Sequence, residues 1–172
     1  MFRKFSKLFF LKKNVNKLLQ NQPMVLQQKK IDIIGVLVDE SYFSNTSLLI
    51  DELINQGFKK EQLAILVYKD KIKAKETINE PFLSPKNISY NGSINKAAVV
   101  DFLETPFDLL INYYDVNKNT TLLLSLKSKA NFKVGFDTID KRVNQLIIKE
   151  SIDTYKEFAS ELIKYLKILN KI

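Results

Sequence analysis

Short runs of branched apolar residues alternate along the chain with stretches whose apolar positions recur every three or four residues. Ile31 to Val38, Leu63 to Tyr68, Phe107 to Tyr113, Phe132 to Phe136 and Val143 to Ile148 suit strands, the first of them apolar enough to be buried on both faces. Between them, Ser44 to Gln56 places Leu48, Leu49, Ile50, Leu53 and Ile54 at helical spacing, and Gly57 can end that helix. Thr120 to Ser128 reads as another helix. A third, amphipathic one follows Thr154 through Tyr155, Phe158, Ala159, Leu162, Leu166 and Leu169, with Thr154 and Glu157 at capping-box spacing. Asn91-Gly92 marks a turn, after which Ser93 caps a helix predicted to run to Leu103. The middle is less regular: Asp70 to Glu76 reads as a short helix or a loop, Pro81 and Pro85 exclude regular helix between them, and Ile88 to Tyr90 is a short strand candidate. Strand, helix and strand in succession make right-handed βαβ units. The expected fold is therefore α/β, a three-layer Rossmann-like domain with a mostly parallel sheet of five or six strands.

Ahead of this pattern, Phe2 to Leu19 reads as a helix with an imperfect apolar face of Phe2, Phe5, Leu8, Phe9, Leu11, Val15, Leu18 and Leu19, interrupted by Lys4 and Lys12. Gln20 to Gln28, with Pro23, reads as a link. Charge divides the chain at the same place. Residues 1–30 hold Arg3, Lys4, Lys7, Lys12, Lys13, Lys17, Lys29 and Lys30 and no acid, whereas the rest carries 19 basic and 19 acidic side chains. The pI near 9.4 is thus a property of the arm, and the domain reading is a basic helical arm and linker over 1–30 and one α/β domain over 31–172. The apolar run Leu8 to Leu11 is too short for a signal core or a membrane span. A cytoplasmic protein, peripheral at the inner membrane face if its arm meets lipid, is expected.

The 172 residues contain no cysteine and no histidine, which excludes thiol nucleophiles, disulfides, zinc sites of Cys and His, and histidine acid–base chemistry. No cofactor is implied: the first strand is followed by Asp39, Glu40, Ser41 and Tyr42 rather than by clustered glycines, and there is no Walker sequence. In a parallel α/β sheet, ligands meet the carboxyl ends of the strands. That rule selects Asp39 and Ser41, then Tyr114 and Asp115, then Asp137 with the neighbouring Lys141 and Arg142, as a candidate ligand site. The acids at three strand ends are also a conceivable set for a hard cation, although no metal site is assigned. The plain alternative is a set of solvated turns. Asn112 and Tyr113 read as strand packing, and Ser125 lies in an apolar helix without a base beside it. For the arm, Phe2, Arg3, Lys4, Phe5, Lys7, Phe9, Lys12, Lys13 and Lys17 form the candidate contact set for an anionic membrane surface, a ribonucleoprotein or a protein partner. The competing structural reading packs the helix on its own domain or on a second copy in a homodimer.

Three segments, Phe107 to Tyr114, Ser128 to Phe136 and Tyr165 to Asn170, resemble an uncharacterised family of small flavobacterial proteins, a resemblance that covers nearly the whole chain and implies no activity. More weakly, Asp108 to Ile111, Leu122 to Ala130 and Lys133 to Phe136 resemble the N-terminal domain of lipopolysaccharide heptosyltransferases, whose second domain has no counterpart here. The expectation is a non-enzymatic binding or scaffold protein that uses its basic helix. The alternative is a small or degenerate enzyme that binds a phosphorylated or sugar-like ligand at the strand ends.

Overall fold

The computed structural model describes residues 2–20, 29–72, 80–89 and 91–172, with side chains in the first segment at Lys7 and from Phe9 onward. Helix α1 spans Phe2–Gln20. The body then runs β1 (Ile34–Asp39), α2 (Thr46–Asn55), β2 (Leu63–Tyr68), β3 (Phe82–Leu83), α3 (Ala97–Glu104), β4 (Leu109–Tyr113), α4 (Asn119–Lys127), β5 (Lys133–Phe136), β6 (Leu146–Ile148) and α5 (Tyr155–Ile168). All five strand pairings are parallel, and the sheet order is β3-β2-β1-β4-β5-β6. This is the doubly wound order of Rossmann-like folds, in which the chain leaves β1 in one direction and returns past it to β4.

The central strands β1 and β4 are buried at every position, which is why they read as unbroken apolar runs. Successive side chains of a strand point to opposite faces, and β4 shows which helices cover which face. Asn112 donates a hydrogen bond to Ser125 of α4, while Tyr113 packs edge-on against Phe158 of α5 with ring centroids 5.1 Å apart. Thus α4 lies over one face and α5, with α2 packed on it, over the other. Tyr113 sits between Phe43, Phe136 and Phe158 and donates through its hydroxyl to Ile152 O at 2.7 Å, a packing role with its polar end satisfied.

Helix α1 lies along α4. Leu11, Val15 and Leu19, one row of the helix at i, i+4 and i+8, are buried in the same apolar core as the sheet. The turn at Asn91-Gly92 receives the helix: Asn14 Nδ2 donates to Asn91 O at 3.0 Å, and Gly92 has φ +80°. A Cβ on Gly92 would stand 2.8 Å from Asn14 Nδ2, so both the turn and the contact require glycine.

Several boundaries differ from the sequence pattern. The third strand is Phe82–Leu83, whereas Ile88 makes only a single antiparallel bridge to Ile94. That bridge uses the residues before Ala97 and delays α3 by one turn relative to a start at Ser93. Thr154 does precede α5, but its hydroxyl donates to Ser151 O at 2.9 Å instead of closing a capping box with Glu157. Residues 73–79 of the charged stretch, Tyr90, and 21–28 of the link lie outside the described residues. Among those described, no helix is long and apolar enough to cross a membrane.

Candidate functional site

The winding direction reverses between β1 and β4, the place in such sheets where ligands meet the carboxyl ends of the strands. Asp39, the last residue of β1, is buried, and its Oδ1 accepts Ser41 N–H at 2.9 Å. Its Oδ2 is 2.7 Å from Nζ of Lys118, which comes from the loop after β4 just before α4 begins. The same ammonium is 2.7 Å from Oδ2 of Asp70, two residues beyond β2. Asp70 is tied from two further directions: the Tyr68 hydroxyl donates to its Oδ1 at 2.7 Å, and its own N–H donates to Ser41 Oγ at 2.9 Å. Lys118 also lies 4.3 Å from the ring centre of Tyr42 and 5.1 Å from that of Tyr68. One nearly buried ammonium therefore joins the ends of three adjacent strands. Beside it, Glu40 pairs with Lys69 at 2.9 Å and accepts Thr46 Oγ1 at 2.5 Å.

Tyr68, Asp70 and Lys118 of this cluster line a cleft of 530 Å³, together with Lys7 and Leu11 of α1, Pro85, Ile88 and the first residues of α4. Lys7 donates from its ammonium to Pro85 O, and burial lowers its pKa. Burial pushes the Asp70 carboxyl up, but the hydrogen bonds from Lys118 and Tyr68 outweigh it and hold the group below the ordinary carboxylate range. Burial and the hydrogen bond to Asp70 raise the Tyr68 hydroxyl, which stays protonated. The cleft thus offers the Asp70 carboxylate as an acceptor and the Tyr68 phenol as a donor, with the side chains of Lys7 and Lys118 beside them. A mostly neutral, hydrogen-bonding ligand matches that balance better than a highly charged one.

The residues selected from sequence fall into separate places. Asp39 and Ser41 belong to the Lys118 cluster. Tyr114 is buried beneath it, its hydroxyl raised by burial with Ser125 partly offsetting the shift. Asp115 contributes its backbone carbonyl to Thr138 Oγ1 at 2.8 Å. Asp137 and Lys141 are exposed on the loop after β5, and Arg142 makes a bidentate contact with Asp140 of its own turn, at 2.9 and 2.6 Å. Asn117 ties this loop to the one after β4, donating to Thr138 O at 2.8 Å and accepting Asp140 N–H at 3.0 Å. Among the described residues, no group of three acids gathers to hold a metal ion. The strand-end rule that selects Asp39 also selects Asp70, whereas Lys118 has no comparable signal because it precedes a helix rather than ending a strand. In the arm, Phe9, Lys12, Lys13 and Lys17 are exposed and Lys7 turns into the cleft, while the side chains of Phe2, Arg3, Lys4 and Phe5 lie outside those described.

A second polar group lies inside the body. Asn112 Nδ2 donates to Ser125 Oγ at 2.9 Å and to Asn144 Oδ1 at 2.7 Å, and Lys133 Nζ donates to Ser125 O at 2.6 Å. Asn144 reaches this position because β5 has Gly135 there: a Cβ would come within 2.5 Å of its Nδ2. Lys133 is only 3% exposed, and burial pushes its pKa down to about 8.

Residues 7–169 match the model of DUF6913, a family of unknown function, and the chain belongs to that family. No curated protein and no solved structure matches it.

Proposed function

We propose that this member of DUF6913 binds a small hydroxyl-rich, sugar-like ligand in the cleft beyond the carboxyl ends of β2 and β4. The observation that carries the reading is the Asp39–Lys118–Asp70 cluster at the switch point of the sheet. In folds of this strand order, a carboxylate beyond the second strand accepts hydrogen bonds from ribose hydroxyls, and Asp70 stands at that place. Phosphorylated ligands fit less well. Asp39 and Glu40 replace the glycines that would let backbone approach a phosphate, and Lys118 is already committed to two carboxylates. The apolar edges of Leu11, Pro85 and Ile88 suit the C–H face of a sugar ring.

The groups present favour recognition over turnover, because Asp70 is held ionised and Tyr68 protonated, leaving neither to exchange a proton near neutrality. Members of DUF6913 that bind the same ligand are expected to share Asp70 and Lys118. Ligand-observed NMR against pentoses, hexoses, nucleosides and their phosphates tests the reading. Neutral members should bind, and Asp70→Asn should remove the signal while leaving the fold intact. Binding of phosphates alone, or of nothing in the panel, would overturn it.

A further inference from the structure

We propose that the outward face of α1 is a docking surface for an anionic lipid bilayer. A residue offset of two turns a helix by roughly 200°, so the row Phe9, Lys13 and Lys17 lies opposite the buried row Leu11, Val15 and Leu19. Packing on α4 therefore fixes which side of the helix faces out. Phe9 is 66% exposed and Phe10 40%, side by side with ring centroids 6.0 Å apart, and Lys12 flanks the same face. Helix α1 holds Arg3, Lys4, Lys7, Lys12, Lys13 and Lys17 and no acid, so it carries six of the charges that make up the protein's net +8. Exposed aromatics beside exposed lysines match the boundary of an anionic bilayer, with the rings entering the acyl edge and the ammonium groups remaining at the headgroups.

Two observations favour lipid over nucleic acid. The Phe9 and Phe10 rings stand at 81° to each other, so they do not form parallel platforms for successive bases. The charge of residues 1–30 is supplied by seven lysines and one arginine, that is, by point charges suited to a diffuse surface potential rather than by planar forks suited to individual phosphates. Docking in this way needs no release of α1, and since the helix also supplies Lys7 and Leu11 to the cleft, it would bring the cleft close to the lipid surface. The proposal does not rest on the ligand reading, because none of its surface residues is assigned there to bind the sugar.

Co-sedimentation of the full chain with phosphatidylcholine vesicles, with and without phosphatidylglycerol, tests it. Binding is expected only to the anionic vesicles and should fall steeply with added salt. Each removed lysine should weaken it about fivefold, from roughly 1 kcal/mol per charge near the surface. Lys13→Glu with Lys17→Glu should weaken it by well over tenfold, and Phe9→Ser should lower what remains at high salt. These positions are exposed, so an unchanged thermal midpoint confirms that the variants are folded. A folded protein that ignores anionic vesicles, binds neutral ones equally, is unaffected by the charge reversals, or captures single-stranded RNA but no vesicles would overturn the proposal.

Discussion

Lys118 and Lys133 are both withdrawn from water in one small domain, and their surroundings differ sharply. Lys118 stands between two carboxylates and beside two aromatic rings at the rim of the sheet. Lys133 stands under α4 with a backbone carbonyl as its hydrogen-bond acceptor and amides and a hydroxyl around it. A buried charge is tolerable when opposite charge accompanies it, and otherwise the neutral form is favoured. The first lysine holds three strand ends together as an ion. The second makes the interior sensitive to pH.

The largest expected effect is on the first lysine. Asp39→Asn leaves Lys118 next to a buried amide and should cost about 3 kcal/mol, the low end for a broken buried pair because Asp70 remains. Urea denaturation at unchanged slope measures it, and a loss no greater than that of Asp70→Asn would mean the pair is not buried in the electrostatic sense. For Lys133, the folded pKa lies below the ordinary value of 10.5, so the unfolded chain binds more protons between the two. Stability should accordingly rise by about 3 kcal/mol as pH increases from 8 to 10.5, the benefit being lost as pH falls back through 8. Lys133→Met should flatten that rise. A smaller effect, about 1–3 kcal/mol, is expected for Asp108→Ala. The Asp108 carboxylate accepts the N–H groups of Asp32 and Ile33 at 3.0 and 3.1 Å and pairs with Lys29 at 2.7 Å. Burial raises this carboxyl, but those contacts outweigh it and hold it below the ordinary range, so its contribution is present at neutral pH and lost on acidification. A pH titration of the unfolding midpoint in both proteins checks this. Asp70→Asn should be the mildest, under about 1 kcal/mol for a side chain 43% exposed, while abolishing ligand binding.

Much of the architecture was legible because apolar periodicity reports burial. The runs over Ile34–Asp39 and Leu109–Tyr113 are fully buried strands, and the spacing in Tyr155–Ile168 is a half-buried helix. Phe82–Leu83 was not legible, since two residues have no period and their pairing depends on β2 being already in place. The site was half legible. Strand ends can be located from sequence, so Asp39 and Ser41, which the structure places in the Lys118 cluster, were among the candidates. Lys118 was not, because its role arises from where α4 starts relative to strands far away in sequence. The arm showed the same limit: its composition marked charge and apolarity, but only the packing against α4 divided Leu11, Val15 and Leu19 from Phe9, Lys13 and Lys17.

The seating of α1 against α4 also bears on how the chain is made. The ribosome delivers α1 roughly 100 residues before the helix that covers it, which at 5–20 residues per second is a delay of roughly 5–20 s. Throughout that interval Leu11, Val15 and Leu19 have no α4 to bury them. Nascent chains halted before Asn119 should therefore present a sticky basic helix to chaperones, and chains released past Lys127 should not.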